Sequence, residues 1–158
     1  MDPETETNLD MDVTFMRMAF SQAERAAEAG EVPVGAVIIK DYELIGKAHN
    51  QVEILKDPTA HAEMISITQA ATALENWRLE GATMYVTKEP CPMCAGALVQ
   101  SRIDRVVWGA TDTLRGGAKS LFNILQNEAL NHHVEIETGV MELECSGILK
   151  SFFHAKRK

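Results

Sequence analysis

The stretch VGAVIIKDYELIGKA, residues 34–48, decides the kind of fold that the chain can form. Two runs rich in branched and apolar residues, Val34–Lys40 and Glu43–Ala48, are typical of β-strands. Only Asp41 and Tyr42 separate them, and two residues are enough for a tight turn between antiparallel strands. The stretch therefore predicts a β-hairpin, and with it a sheet that contains at least one antiparallel pair.

Helical and strand-like segments alternate along the rest of the chain. A helix around residues 15–27 is predicted because its apolar residues recur at nearly helical spacing and Gly30 follows as a stop signal. The other predicted elements are, in order, a helix His61–Leu74, a strand Ala82–Thr87, a helix Pro92–Ser101, a strand Ile103–Gly109, a short helix Ser120–Gln126, a short strand His133–Glu137 and a helix Val140–Ala155. This alternation predicts an α/β fold, a three-layer α/β/α sandwich whose central five-stranded sheet is mixed because it begins with a hairpin.

The size and composition of the chain fit one ordinary globular domain. It has 158 residues, of which 46% are hydrophobic and 24% charged. Residues 1–10 are polar and acidic and are predicted to be a disordered tail, which leaves residues 11–158 as a single domain. The longest apolar run, Val32–Ile39, is too short to cross a membrane, and the N-terminus lacks the basic start of a signal peptide. We therefore expect a cytoplasmic protein without a membrane partner.

The charge distribution is uneven. The net charge of −8 is unusual for a protein that binds nucleic acid, because a basic surface is the usual sign of phosphate binding. Five of the acids, however, lie within residues 1–12, which contain no base. The chain ends in a basic group made of His154, Lys156, Arg157 and Lys158. A local basic patch is compatible with this pattern, and so is a solvated end of a helix.

Two short motifs carry the chemistry. Residues 61–63 read His-Ala-Glu at the start of a predicted helix, and about 30 residues later Cys91 and Cys94 stand three apart at the start of another. A helix start favours the deprotonated sulfur that a metal needs. His61, Cys91 and Cys94 then make three zinc ligands, and three protein ligands leave one tetrahedral position open, as in catalytic rather than structural zinc sites.

Glu63 is predicted to be the catalytic proton carrier. It lies two residues beyond His61, close enough to take a proton from water at the open position without binding the metal itself. Zinc lowers the pKa of such a water to about 7, so that hydroxide is available at neutral pH. Glu63 could then return protons to a ring nitrogen and to departing ammonia. The spacing is that of zinc-dependent deaminases of nucleobases.

Each motif taken alone has a simpler interpretation. Cys91 and Cys94 could form a redox pair, His61 a core histidine and Glu63 a solvated helix residue. A structural zinc site would need a fourth ligand, and Cys145, the one remaining cysteine, lies in an amphipathic pattern where a small buried side chain is expected. The motifs together, in the required order and each at a helix start, favour a catalytic metal site.

The chain resembles the family of bacterial tRNA-specific adenosine deaminases from about residue 13 to its C-terminus. The residues that carry the resemblance are the stretches 31–37 (EVPVGAV), 57–63 (DPTAHAE) and 89–97 (EPCPMCAGA), together with Asn50, Asn131-His132 and Phe152-Phe153. The resemblance implies a cytidine deaminase-like fold and one zinc ion per subunit of a homodimer. It also implies that the substrate is the wobble adenosine of a tRNA anticodon stem-loop, which is converted to inosine.

The resemblance also implies roles for individual residues. Asn50 and the backbone of Ala62 would contact the flipped adenine, whereas Asp112, Asn131 and His132 would meet the backbone of the anticodon loop. The terminal Phe152, Phe153 and residues 156–158 would lie near that loop as well. Without the family, Asn50 is a turn residue, Asp112 an ordinary loop acid and Asn131-His132 a polar lead-in to a strand.

Two positions depart from the family pattern, and two other functions stay open. Leu114 stands where relatives carry a lysine, with Arg115 next to it, and Lys119 stands where a glycine is common. The first alternative is a zinc-dependent deaminase of free bases or nucleosides such as guanine or cytosine, which suits the acidic charge. The second alternative is a non-catalytic RNA-binding or structural zinc protein, in which Glu63 has no chemical role.

Overall fold

The computed structural model describes residues 3–157, which are built around one five-stranded sheet. The helices are α1 (Pro3–Glu28), α2 (Val52–Leu55), α3 (Ala62–Leu74), α4 (Pro92–Gln100) and α5 (Glu142–Lys156). The strands are β1 (Gly35–Lys40), β2 (Glu43–His49), β3 (Ala82–Lys88), β4 (Arg105–Ala110) and β5 (Glu135–Thr138). The sheet order is β2-β1-β3-β4-β5, with β1 antiparallel to β2 and β3 and the last three strands parallel. The predicted mixed sheet is confirmed.

The predicted hairpin is present and its turn has two residues. Lys40 pairs with Glu43, and Asp41 and Tyr42 between them have φ values of 51° and 65°. Positive φ at both central residues gives a turn whose twist matches that of the flanking strands. The turn sets the pairing next to it, from Lys40–Glu43 to Ile39–Leu44, and the register then shifts between Ile39 and Ile38, which pairs with Gly46.

Helices cover both faces of the sheet. Along β1 the side chains alternate, so that Ala36 and Ile38 pack in one core cluster with α3 and α4. Val37 and Ile39 pack in a second cluster with α1 and α5 on the opposite face. A strand that is buried on both faces is apolar at nearly every position, which explains the run that begins at Val34. The three-layer α/β/α sandwich is thus confirmed.

Helix α1 is held tightly against the sheet. A Cβ atom added to Gly35 would lie 2.0 Å from the carbonyl oxygen of Ala19, so only glycine permits this approach of helix and strand. Further along α1, Asp12 accepts two hydrogen bonds from the Arg105 guanidinium at 2.9 and 2.7 Å and one from the Tyr85 hydroxyl at 2.7 Å. This buried group ties α1 to β3 and β4.

The N-terminal segment differs from the predicted disordered tail. Residues 3–10 form the first turns of α1, while residues 1 and 2 lie outside the described residues. Glu4 stands in the first turn of α1, where the positive end of the helix dipole favours a negative charge. The buried residues of α1 begin further along the helix, with Asp12 and Met16. Residues 7–10 are nevertheless exposed, in agreement with their polar composition.

Two further segments differ from the sequence prediction. The short helix predicted over residues 120–126 is wrong, because these residues form turns instead. The backbone N–H groups of Lys119 and Ser120 donate to the Glu89 carboxylate at 2.9 and 2.8 Å, which binds this segment to the core in a non-helical path. The one-turn helix α2, conversely, was not predicted. Among the helices of residues 3–157, none is long and apolar enough to cross a lipid bilayer.

Candidate active site

The ends of two helices bring the metal-ligand candidates together. His61 is the N-cap residue of α3 and Cys91 that of α4, both with extended backbone (φ −75° and −70°). Pro92 occupies the start of α4, where its missing N–H is no loss. In the approach to α3, Asp57 accepts hydrogen bonds from the Thr59 N–H and hydroxyl at 2.8 and 2.7 Å, which shapes the turn that leads into His61.

The three candidate ligands form one cluster. The ligand atoms of His61, Cys91 and Cys94 all lie within 4.8 Å of one another. His61 Nδ1 lies 3.6 Å from Cys91 Sγ and 3.4 Å from Cys94 Sγ. Zinc–nitrogen and zinc–sulfur bonds at a tetrahedral angle place these atoms about 3.5 Å apart, so the donor set fits a zinc ion.

The remaining cysteine belongs to another part of the molecule. Cys145 is fully buried in the cluster between the sheet, α1 and α5. A Cβ atom added to Gly109 would lie 2.5 Å from Cys145 Sγ, so this sulfur packs directly on the backbone of β4. Burial raises the pKa of its thiol to about 12. Cys145 is therefore a core residue and not a fourth ligand, which leaves the open site that the ligand count predicted.

The pKa values of the three candidate ligands are shifted by the hydrogen bonds between them. Hydrogen bonds from Cys94 and His61 lower the pKa of the Cys91 thiol to about 4, although burial opposes them. The bond to Cys91 and burial raise the pKa of Cys94 above its ordinary value. The bond to Cys91 likewise raises the pKa of His61. These opposite shifts favour Cys91 as the thiolate of the pair, and zinc binding would require the loss of the remaining thiol proton.

Glu63 lies beside this cluster with an unused oxygen. The residue is 3% exposed, and within the described part of the chain its Oε1 atom is buried without a hydrogen-bond partner. Burial raises the pKa of the carboxyl above its ordinary value. A buried polar atom without a partner is costly, so its position next to the metal-ligand candidates indicates a functional constraint.

A cavity of about 600 Å³ opens over the cluster. This size lies within the range of about 300–1,000 Å³ usual for small-molecule sites. The residues that line it include His61, Glu63 and Cys91, and also Asn50 and Ala62, which were predicted to contact the base. The further lining residues are Gly30, Glu31, Val32, Val34, Val52, Glu53, Pro58, Lys88, Glu89, Arg115, Phe152, Phe153 and Lys156.

Asn50 is fixed in the cavity wall. Its Nδ2 donates to the Val32 carbonyl at 3.3 Å, and its backbone N–H donates to the Val34 carbonyl at 3.1 Å. The side chain is buried, and within the described residues Oδ1 has no hydrogen-bond partner. A turn residue would direct this oxygen to its own backbone or to water. Its arrangement here suits an acceptor reserved for a ligand.

Asp112 lies behind the cavity mouth. Its carboxylate contacts the Lys88 ammonium at 3.0 Å and accepts hydrogen bonds from the N–H groups of Leu114 and Arg115, each at 3.0 Å. Burial alone would raise the pKa of Asp112, but these donors outweigh it and lower the pKa below its ordinary value. The side chain thus shapes the loop that carries Arg115.

Asn131 and His132 are not brought to the cavity. Asn131 is exposed, and neither residue lines the cavity wall. The His132 ring lies with Nε2 2.6 Å from the Ile103 carbonyl, which it meets as a donor. A contact between these two residues and a ligand therefore has to take place on the surface, outside the cavity.

Sequence reasoning missed two buried carboxylates in the cavity wall. Glu31 is 1% exposed and accepts hydrogen bonds from the N–H groups of Glu53 and Ile54, both at 2.9 Å, so that it holds the start of α2. Glu89 is 2% exposed and binds the segment after β4. The only signal in the sequence was position, because Glu31 stands directly before the apolar stretch 32–37 and Glu89 directly before the motif that contains Cys91. Position alone does not reveal that a glutamate is buried. The position of Lys88 in the wall was missed as well.

The fold and the His-Cys-Cys cluster define a zinc-dependent deaminase. A model of the MafB19-like deaminase family matches residues 11–157. The chain is 50% identical to a tRNA-specific adenosine deaminase of Bacillus subtilis, over 95% of this chain and 93% of that protein. It is 52% identical to a tRNA-specific adenosine deaminase of Aquifex aeolicus, over 90% and 94% of the two chains.

A solved structure agrees with these sequence relatives. It comes from a study of A-to-I editing by tRNA:A34 deaminases at the wobble position of transfer RNA. It superposes with a TM-score of 0.83 at 40% identity and covers 86% of this chain and 99% of its own. The chain belongs to the family of tRNA-specific adenosine deaminases, as the resemblance seen in the sequence predicted.

Proposed function

We propose that the protein catalyses the hydrolytic deamination of adenosine to inosine at the wobble position of a tRNA anticodon. The observation that carries the proposal is Glu63 Oε1, which has no hydrogen-bond partner within the described part of the chain and is buried beside the His-Cys-Cys cluster in a cavity that opens to the surface. The relatives described above, named for this activity, support the choice of substrate.

His61, Cys91 and Cys94 would hold the zinc ion. When bound, zinc supplies a Lewis acid that makes water a sufficient nucleophile at neutral pH. In the reaction a bond forms between C6 of the adenine ring and a water oxygen, and the bond from C6 to the amino nitrogen breaks. The products are inosine and ammonia, so one water is consumed and no oxidant or reductant is needed.

Glu63 moves the protons of this reaction. The carboxylate accepts a proton from the attacking water at Oε1 and delivers it to N1 of the ring. It then accepts the second proton of the same oxygen and delivers it to the amino group that leaves. Burial raises the pKa of this carboxyl above its ordinary value, which favours its holding a proton between the two transfers.

The cavity wall recognises the base. Asn50 Oδ1 is a buried acceptor without a partner among the described residues, and the backbone of Ala62 borders the same space beside Glu63. A nucleobase that donates to Asn50 satisfies this oxygen, whereas a base with an acceptor at that place leaves it unpaired. Unpaired buried groups are how such a pocket discriminates between substrates.

The mouth of the cavity suits a polynucleotide rather than a free base. Lys88, Arg115 and Lys156 line it, together with the aromatic rings of Phe152 and Phe153. Cations attract backbone phosphate and aromatic rings stack on bases, and a single-stranded loop can release one base into the pocket at low cost. Lys88 already pairs with Asp112, so Arg115 and Lys156 would supply the cations that meet backbone phosphate.

The surface roles of three further residues are part of the proposal. Asp112 would act by shaping the loop that carries Arg115, since its carboxylate already has three partners. Asn131 and His132 would contact the anticodon-loop backbone outside the cavity. A single-residue substitution at each position, measured by RNA affinity, separates these contacts from the base contacts.

We propose that the enzyme is a cytoplasmic homodimer with one zinc ion per subunit. A tRNA substrate supports the cytoplasmic location. Helix α2 supports association, because Ile54 and Leu55 are 68% and 55% exposed on an element whose other residues line the cavity. Analytical ultracentrifugation of the zinc-loaded protein tests the dimer, and a single-chain mass at micromolar concentration contradicts it.

A substrate panel tests the proposed function. The zinc-loaded protein is incubated with an anticodon stem-loop that carries a wobble adenosine, and separately with free adenosine, guanine and cytosine. We expect inosine in the RNA and little or no product from the small molecules. Activity on guanine or cytosine without activity on the RNA overturns the proposal in favour of a free-base deaminase.

A further inference from the structure

The Glu89 carboxylate is heavily hydrogen-bonded at the edge of the cavity. Oε1 accepts from the Asp112 N–H at 3.1 Å and from the Ser120 hydroxyl. Oε2 accepts from the N–H groups of Lys119 and Ser120 at 2.9 and 2.8 Å. All four donors belong to residues 112–120, here named the mouth segment, so one buried carboxylate binds both ends of it.

This arrangement explains why a charged group is buried at this place. Glu89 is 2% exposed, and an ionised carboxylate is costly to bury unless donors satisfy it. Four donors do so here, and hydrogen bonds to a charged acceptor are stronger than neutral ones. With both oxygens engaged, Glu89 has no free atom for a substrate, which separates it from Glu63 and Asn50.

The mouth segment is also pressed against the turn that carries Cys91. The Gly117 N–H donates to the Pro90 carbonyl at 2.9 Å, and a Cβ atom added to Gly117 would lie 2.3 Å from the Pro92 nitrogen. A Cβ atom added to Gly116 would lie 2.4 Å from the Glu89 carboxyl carbon. Glycine at both positions therefore lets the backbone of the segment lie directly on the metal-binding turn.

The mouth segment contributes a cation to the cavity wall. Arg115 lies in its middle and lines the cavity. Asp112 at its start pairs with Lys88, a second cation in the wall. Leu114, in contrast, is 81% exposed and does not line the cavity. The anchoring of the segment thus decides where the Arg115 guanidinium stands.

We propose that Glu89 is a positioning residue that anchors the mouth segment on the metal-binding turn and thereby presents Arg115 to a backbone phosphate of the RNA. The inference rests on the proposed function, because it requires an RNA substrate. Glu89 acts through the segment and not on the reacting atoms. Its loss should therefore raise KM for RNA and leave kcat and the zinc content nearly unchanged.

The test is a double-mutant cycle with Glu89→Gln and Arg115→Ala. The glutamine side chain keeps the shape of the glutamate, but its amide nitrogen cannot accept hydrogen bonds from the backbone N–H groups. We expect each single variant to raise KM for the stem-loop about 5-fold, as for one partly exposed phosphate contact. The KM of the double variant should be no higher than that of the single variant with the higher KM, because the two residues act through one contact and their effects do not add.

Two controls separate positioning from general damage. Glu31→Gln replaces the other buried carboxylate of the cavity wall, which holds the start of α2. In a protein with this substitution, Arg115→Ala should still raise KM about 5-fold. Ser120→Ala removes one Glu89 partner at an exposed residue, so it should fold normally and raise KM by about 2-fold. Hydrogen exchange of the Asp112, Lys119 and Ser120 amides should accelerate in Glu89→Gln while that of α1 stays slow.

Several results overturn the inference. The first is a normal KM and normal amide exchange in Glu89→Gln. The second is a Glu89→Gln variant whose main defect is loss of zinc or a lower kcat. The third is a double variant in which the KM effects of Glu89→Gln and Arg115→Ala multiply. If Glu89→Gln does not fold, a normal KM in Ser120→Ala overturns it as well. Failure of the proposed function is distinguishable, because then the unsubstituted enzyme itself leaves the stem-loop adenosine unchanged.

Discussion

The floor and the mouth of the cavity are built in different ways. The floor consists of His61, Cys91 and Cys94 at the starts of two helices, and the ligand atoms lie within 4.8 Å of one another. The mouth takes its residues from several places: Lys88 ends β3, Phe152, Phe153 and Lys156 belong to α5, and Arg115 stands in the mouth segment, which has no helix or strand and is held by the Glu89 carboxylate. The comparison indicates that the metal-ligand cluster depends on helix starts that the local sequence specifies, whereas the mouth depends on contacts between distant parts of the chain.

The largest expected effect is at the floor. Cys94→Ala removes one of three zinc ligands, so the protein should lose its zinc and its deamination should fall below detection. Metal analysis and an inosine assay on the stem-loop check this. Retained zinc with full activity in Cys94→Ala contradicts the ligand assignment.

Cys145→Ala is the matched control for that substitution. Cys145 is buried on the other face of the sheet, so its truncation should cost about 1–2 kcal/mol of unfolding free energy by leaving a small cavity. Zinc content and activity should stay normal. Denaturant unfolding measures the loss of stability. Loss of zinc in Cys145→Ala contradicts the assignment of Cys145 to the core outside the metal site.

The next substitution tests the role of Glu63 in the chemical step separately from metal binding. Glu63→Gln keeps the shape of the side chain but cannot accept a proton from water, so kcat should fall about 10²–10⁴-fold. Zinc content and KM for the stem-loop should remain close to those of the unsubstituted enzyme. An unchanged kcat shows that Glu63 is not the proton carrier, and a lack of deamination in the unsubstituted protein as well supports the non-catalytic alternative.

A pair of asparagines compares the inside of the cavity with the outer surface. Asn50→Ala removes the unpaired buried acceptor, so kcat/KM should fall about 10-fold. Asn131→Ala changes an exposed residue outside the cavity, so only RNA affinity should fall, by about 3-fold or less. Steady-state kinetics decide, and a larger effect of Asn131→Ala than of Asn50→Ala reverses the assignment of base and backbone contacts.

The smallest effect is the pH dependence of the mouth. The pKa of Asp112 is lowered in the folded protein, so its ionised form stabilises the loop above the ordinary carboxyl pKa of about 4, and this stability is lost as the pH falls through the lowered value. Asp112→Asn should therefore reduce stability at neutral pH by less than about 1 kcal/mol, since solvent screens the pair with Lys88. Thermal unfolding should show the difference at neutral pH and none in strong acid. An equal difference under both conditions excludes an ionic origin.

Much of the fold could be predicted because local patterns specified it. The hairpin was visible in two apolar strands around Asp41 and Tyr42, and the later helices and strands were found within a few residues of their ends. The His61, Cys91 and Cys94 cluster was predicted because each ligand stands at the start of an element whose position follows from spacing.

The irregular mouth could not be predicted in the same way. Residues 120–126 have helical spacing, yet the buried Glu89 captures the N–H groups of Lys119 and Ser120 from about 30 positions away in the chain. Glu31 likewise organises the unpredicted α2 across more than 20 positions. Local spacing carries no information about such long-range partners.

The sequence by itself determined the layered fold and the grouping of His61, Cys91 and Cys94 near Glu63, because hydrophobic periodicity and ligand spacing act within single elements. Only the tertiary structure decided that Asn50 Oδ1 is buried in the cavity wall with no partner among the described residues, that Asn131 and His132 lie outside the cavity, and which cations line it. The physical reason is burial. A carboxylate or amide that leaves water must find partners wherever the fold supplies them, and those partners are distant in the chain.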